Sequence, residues 1–147
     1  MAPGTPSVPH GKGAGYHSPQ SAFAPLVARK DVVAWSVLAD VKVRFLHRKI
    51  ETTYADAVRQ LDGKTVRVQG FMTPLEAGSK QSHFLLLSVP PTCPFCVPGG
   101  PESMIDVKTA IPVIYTENAV VMEGRFQVLD NDPQGLYYRM IGARAVK

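Results

Sequence analysis

The clearest feature of the chain is a period of two in its apolar residues. In "NAVVMEGRFQVL" the positions Val120, Met122, Gly124, Phe126 and Val128 fall on one face, with Glu123, Arg125 and Gln127 on the other. That alternation predicts a half-buried β-strand. "KTVRVQGFM" sets Val66 and Val68 against Thr65, Arg67 and Gln69, and Gly70 interrupts it, which predicts a bulge or sharp bend. "HFLLLSV" is a continuous apolar run, as in a strand buried on both faces. "SMIDVKT" alternates Ile105 and Val107 with Asp106 and Lys108, and "LYYRMIGARAV" reads as a last strand with Gly142 inside it.

The pattern before residue 64 is different. In "DVVAWSVLADVKVRF", Val33, Val37, Leu38 and Val41 suit a helix, whereas Val41, Val43 and Phe45 alternate. We expect a helical turn over Trp35 to Ala39 and then an extended segment. In "HRKIETTYADAVRQL", Thr52 or Thr53 is placed to cap a short helix ending near Leu61, with Tyr54, Val58 and Leu61 on one face. "LDGK" follows as a turn with Gly63 available for positive φ, and "DNDPQG" is a second turn cluster.

Five strands, several bent at a glycine, predict a mainly β fold. Closure into a small OB-like five-stranded barrel, with one or two short N-terminal helices, leaves no exposed edges. A five-stranded sandwich is the alternative. Residues 1–25 are rich in Pro, Gly and Ser and predict a flexible tail; residues 26–147 form one barrel-like domain. His10 and His17 fall in the tail, where solvation is the simpler reading.

Composition narrows the picture modestly. The chain has 147 residues, 45% of them hydrophobic, enough for one core. A net charge of +4 permits anionic partners without identifying one. No apolar run approaches a membrane helix, and "MAPGTPSVPHGKGAGYHSPQ" has no apolar signal-peptide core. No G-x-S-x-G elbow, Walker loop or G-x-G-x-x-G occurs, so the reading leans away from an enzyme. Basic residues on the strands, Arg67, Arg125, Arg139 and Arg144 among them, read as a solvated face; a nucleic-acid partner is disfavoured.

The candidate chemistry lies in "SVPPTCPFCVPGGPES", residues 88–103, expected to join the second and third barrel strands. Cys93 and Cys96 are the only cysteines, spaced C-x-x-C. Two thiolates so spaced can bind one zinc or copper ion, but they supply half of a tetrahedral site. Glu102 and Asp106 are the nearest acidic residues and complete the candidate set, Cys93, Cys96, Glu102 and Asp106. His83 is nearest among histidines, yet it lies roughly 20 Å away along an extended strand. Pro98 and Pro101 break any helix after the cysteines, which removes the usual activation of a redox C-x-x-C. A disulfide fixing the loop's shape is the alternative to a metal.

Trp35, Leu38 and Val41, then L-x-G-K-x-V-x-x-x-G-F-M-x-P-L over Leu61 to Leu75, F-L-L, C-x-x-C and P-G-G-P-E-S resemble a bacterial family, the domain of unknown function thirty-two ninety-nine. The resemblance covers Trp35 to Lys147. It implies a periplasmic or otherwise exported accessory protein with no attached enzymatic activity and a role in metal handling. Its implied partners are metal-transport components or another exported protein. The alternative is an OB-like module binding a protein, glycan or nucleic acid, with Cys93 and Cys96 as a structural disulfide.

Overall fold

The computed structural model describes residues 26, 30–46, 49–91, 100–130, 132 and 134–146. The expected tail, 1–25, lies outside them. Two short helices, α1 (Trp35–Leu38) and α2 (Asp56–Arg59), flank a hairpin of β1 (Val41–Leu46) and β2 (Lys49–Tyr54). Then come β3 (Thr65–Pro74), β4 (Lys80–Leu87), a single 3-10 turn (Pro101–Ser103), β5 (Met104–Ile114), β6 (Val120–Val128) and β7 (Tyr138–Val146).

The last five strands close into a barrel in the order β3-β4-β5-β7-β6. β5 and β7 run parallel, and the other barrel pairs are antiparallel. This is the expected OB-like five-stranded barrel, and the sandwich alternative falls. Closure makes β3 serve two partners. Thr65 to Gly70 pair with β6, and Phe71 to Pro74 pair with β4. The expected bulge at Gly70 is therefore a change of partner, with no break in register. A Cβ at Gly70 would lie 2.6 Å from the Leu87 carbonyl oxygen and 2.9 Å from Leu86 Cγ. The strands meet too closely there for any side chain.

Alternation fills the interior. Val68, Met72, Phe84, Leu86, Ile105, Val107, Met122, Phe126 and Met140 are buried in one cluster. β4 departs from the expected double-sided burial: Phe84 and Leu86 are buried, but Leu85 and Leu87 are only half-buried. Among the described residues no helix layers over its outer face, and it keeps the alternation of an antiparallel barrel.

The N-terminal elements are tied to this barrel by three aromatic side chains. Trp35 Nε1 donates to the Gln69 carbonyl at 2.7 Å, and Tyr54 Oη donates to the Leu129 carbonyl at 2.6 Å. Tyr138 Oη donates to the Leu38 carbonyl. Tyr138 also packs on Phe126 and Tyr54, with ring centroids 5.3 and 5.8 Å apart. Such rings contribute apolar burial while their polar ends satisfy backbone carbonyls. Burial raises the Tyr138 hydroxyl well above the ordinary tyrosine value, so it stays a donor.

The hairpin β1–β2 corrects the expectation of one extended segment followed by a capped helix. Thr52 and Thr53 belong to β2, where they pair with Val43 and Lys42. α2 begins after Ala55 and has no side-chain cap. Its apolar face is as expected, since Tyr54 and Val58 are buried and Leu61 half-buried. Gly63 takes φ 80° and donates from its N–H to the Phe126 carbonyl at 2.7 Å, fastening the turn before β3 to β6.

Gly70→Ala is expected to destabilise the protein by about 1–3 kcal/mol, because a backbone oxygen blocks the new methyl. A urea titration should show a lower midpoint at unchanged slope. An unchanged midpoint would mean that β3 and β4 separate at no cost.

Candidate functional site

Asp106 is the most deeply buried carboxylate among the described residues. Alternation places it on the outer face of β5, yet it is only 3% exposed. Burying a carboxylate is costly unless it is paired and hydrogen-bonded. Here both oxygens have partners. Oδ1 faces His83 Nε2 on β4, and Oδ2 accepts from Arg139 Nε on β7 at 2.9 Å. The register explains this meeting. Asp106 lies beside Leu85 on one side and Arg139 on the other, and His83 is diagonal to it, opposite Lys108. A second carboxylate, Asp132, approaches the Arg139 guanidinium at 3.7 Å. Its other oxygen accepts from the N–H groups of Gln134 and Leu136 at 2.9 and 3.2 Å, which shapes the turn before β7.

The backbone of His83 is also fixed. Between Gln81 and His83, β4 shifts register against β5: Ser82 alone faces residues 109–112. Glu76 covers this bulge, its Oε1 accepting from the N–H groups of Ser82 and His83 at 2.6 and 2.9 Å. Gln81 is fully buried, and its amide donates to the carbonyls of Glu76 and Gly78 at 3.1 and 2.7 Å. The β3–β4 turn is thereby locked onto the strand that presents His83.

The same bulge changes what β5 shows to solvent. Its pairing with β7 extends only to Thr109. Farther along, Ile111 is 64% and Ile114 68% exposed, and Leu75 in the β3–β4 turn is 50% exposed. Tyr115 N–H donates to the Ser79 carbonyl at 2.7 Å, holding this end of β5 against that turn.

The loop between β4 and β5 does join the second and third barrel strands. Cys93 and Cys96 themselves lie outside the described residues, as do His10, His17 and His47. The loop's stems are well defined. Ser88 N–H donates to the Ser103 carbonyl at 3.2 Å, and Ser103 donates to the Gly100 carbonyl from both N–H (2.9 Å) and Oγ (2.7 Å). Val89, Pro90, Gly100, Glu102 and Ser103 are buried. Glu102 sits at the foot of the loop. Its charge adds to the upward shift that burial imposes on Tyr137 and Tyr138.

Of the predicted ligand set, only Glu102 and Asp106 lie among the described residues. Glu102 is beside the cysteine loop, whereas Asp106 is engaged by His83 and Arg139 on the barrel wall. The expected alternation of Ile105 and Val107 against an exposed Asp106 fails for this reason: the ion pairs bury it. Among the described residues, no group of three His, Cys, Asp or Glu side chains could hold a metal ion. Sequence reasoning set His83 aside and missed its contact with Asp106. The strand register would have exposed it, and no single strand contains that information.

A second ionic ladder crosses β3, β6 and β7. Glu123 accepts from Arg67 Nε at 2.7 Å through Oε2 and from Arg144 through Oε1 at 2.9 and 3.2 Å. Hydrogen bonds from these two guanidinium groups hold the Glu123 carboxyl below its ordinary value.

Asp106→Ala is expected to cost about 2–3 kcal/mol, since it leaves Arg139, three-quarters covered, with only the 3.7 Å approach to Asp132. His83→Ala should cost less than about 1 kcal/mol, because its ring is 41% exposed. Thermal or urea unfolding of both variants measures this; equal losses would refute the assigned hierarchy.

No curated protein matches the chain. A crystal structure of a DUF3299 family protein from Pseudomonas aeruginosa PAO1 is similar at 21% identity and a TM-score of 0.45, over 65% of this chain and 68% of that one. Among the described residues no helix is long and apolar enough to cross a membrane. A family model described as a protein of unknown function, DUF3299, matches residues 30–141. That match spans most of the barrel and both N-terminal helices, and the chain belongs to the DUF3299 family.

Proposed function

We propose that the protein is a non-enzymatic, exported accessory module that binds another exported protein. The observation that carries this reading is the exposed apolar end of β5. Ile111 and Ile114 extend past the last pairing with β7, and Leu75 stands on the adjoining turn. Large apolar side chains grouped at one end of a rigid strand are the usual mark of a protein-docking surface. On the nearby outer face three carboxylates, Glu76, Asp106 and Asp132, outnumber two cations, Lys108 and Arg139. A surface that tracks a nucleic-acid backbone would be an uninterrupted cationic stripe. The exported location rests on the family resemblance.

A photo-crosslinking residue at position 111 should give one discrete adduct in intact cells. Ile114→Asp and Leu75→Asp should abolish it. The same crosslinker at Lys64, on the turn before β3, should give none. Equal adducts from both positions would remove the docking surface.

Zinc or copper binding through Cys93 and Cys96 is a second reading, favoured by the buried Glu102 at the foot of their loop. In that reading Glu102 is the third ligand and Asp106 stays with Arg139. Native mass spectrometry of anaerobically purified protein separates the two states of the loop. A bound metal lost on Cys93→Ser/Cys96→Ser supports the second reading. A mass lower by about two hydrogens in non-reduced protein shows the disulfide instead.

A further inference from the structure

The wall of the barrel away from β4 carries an open groove that neither reading uses. It is about 310 Å³ in volume and is lined by Thr65, Glu123, Arg125, Ile141, Gly142 and Arg144. It continues past Thr65 and Glu123 into a second hollow of about 360 Å³ beside Lys30, Asp31 and Arg67. The strand register builds it. Arg67, Glu123 and Arg144 form one row across β3, β6 and β7; Thr65, Arg125 and Ile141 form the next.

Three features give this groove a chemical preference. Glu123 is already held by Arg67 and Arg144, so its charge is answered from both sides. Arg144 spends Nε and one terminal nitrogen on Glu123, leaving the other terminal nitrogen of its fork available. Arg125 is exposed, and its guanidinium group makes no hydrogen bond or ion pair among the described residues. The floor is also low. At Gly142, φ is +60° and nothing lies within 4 Å of where a Cβ would stand. At this point β7 shifts register so that Gly142 and Ala143 together face Gly124. A ligand can thus descend between the side chains of Arg125 and Arg144 to the backbone.

We propose that this groove is a binding site for a phosphoryl group, held by the guanidinium groups of Arg125 and Arg144 and the hydroxyl of Thr65. Across the two hollows four cationic side chains, Lys30, Arg67, Arg125 and Arg144, face two carboxylates, Asp31 and Glu123. The excess, four minus two, matches the charge of a phosphate monoester dianion. Planar guanidinium forks suit the terminal oxygens of such a group, and charge-assisted hydrogen bonds of this kind are the strong ones. Ile141 offers an apolar wall to the body that carries the phosphate. The phosphoryl group can belong to a small soluble ester or to a phospholipid headgroup.

Amide NMR spectra titrated with inorganic phosphate, at ionic strength held constant with chloride, test the site. The amides of Thr65, Gly124 and Gly142 should shift together along one saturable curve. Arg125→Ala should weaken the response roughly tenfold, the loss of one charge-assisted contact. Arg125→Lys, which keeps the charge but loses the fork, should fall between. Arg59→Ala, an exposed arginine paired to Asp130 elsewhere, should change nothing. Each variant's thermal melt guards against misfolding. Phosphate shifts that are absent, or that survive Arg125→Ala unchanged, would overturn the proposal. Sedimentation with phosphatidylcholine vesicles, with and without phosphatidic acid, then decides the source. Arg125-dependent sedimentation assigns a headgroup; its absence beside a positive phosphate titration assigns a soluble ester.

Discussion

Barrel closure rests on one strand dividing itself between two neighbours. β3 gives its first six residues to β6 and its last four to β4. The exchange happens at Gly70, where the Leu87 carbonyl occupies the space of a side chain. Without that close approach the sheet would remain open between β3 and β4. The interior cluster around Phe84, Leu86 and Phe126 would then face water on one side. Both ionic arrangements lie on strands that adjoin away from this seam, β4-β5-β7 and β3-β6-β7, so they brace the rest of the sheet and leave the β3–β4 junction to Gly70.

The two ends of this barrel are managed differently. At one, Trp35, Tyr54 and Tyr138 bring the N-terminal helices and hairpin against the sheet through carbonyl-directed hydrogen bonds. At the other, buried Gln81 and the Glu76 carboxylate knit the β3–β4 turn to β4. The wall between them is rigid, so surface features sit at defined separations. A wall braced at both ends has little conformational entropy left to lose when anything binds it.

The strands that reveal themselves in the sequence are those with one wet face. β6 was legible because Glu123, Arg125 and Gln127 reach water between the buried Met122, Gly124, Phe126 and Val128. β3 was legible apart from the meaning of Gly70. That glycine signals a constraint, but whether it is a bulge or a change of partner depends on a strand fifty residues away, at Val120. β5 misled at Asp106, where a polar residue in the outward phase is nevertheless buried by ion pairs. The β1–β2 hairpin was misjudged because "ETTYADAV" holds good capping residues before a helical stretch. Cross-strand pairing with Val41 to Leu46 in the neighbouring strand outweighed that capping preference. The candidate ligands suffered the same limit. Glu102 was found because it adjoins the loop in sequence, whereas the partners of Asp106 come from β4 and β7.

β7 pairs antiparallel with β6, the strand before it, and in parallel with β5, where Arg139 meets Asp106 and Ala143 meets Thr109, more than thirty positions earlier. Until it docks, both β5 and β6 have free edges. Non-local pairings of the β5–β7 kind slow folding in general, and strand edges that wait for a late partner are exposed to wrong ones. Gly142, whose left-handed backbone sets the register shift in β7, then governs more than the final shape. It helps decide how quickly the molecule leaves the state in which it is most prone to aggregate.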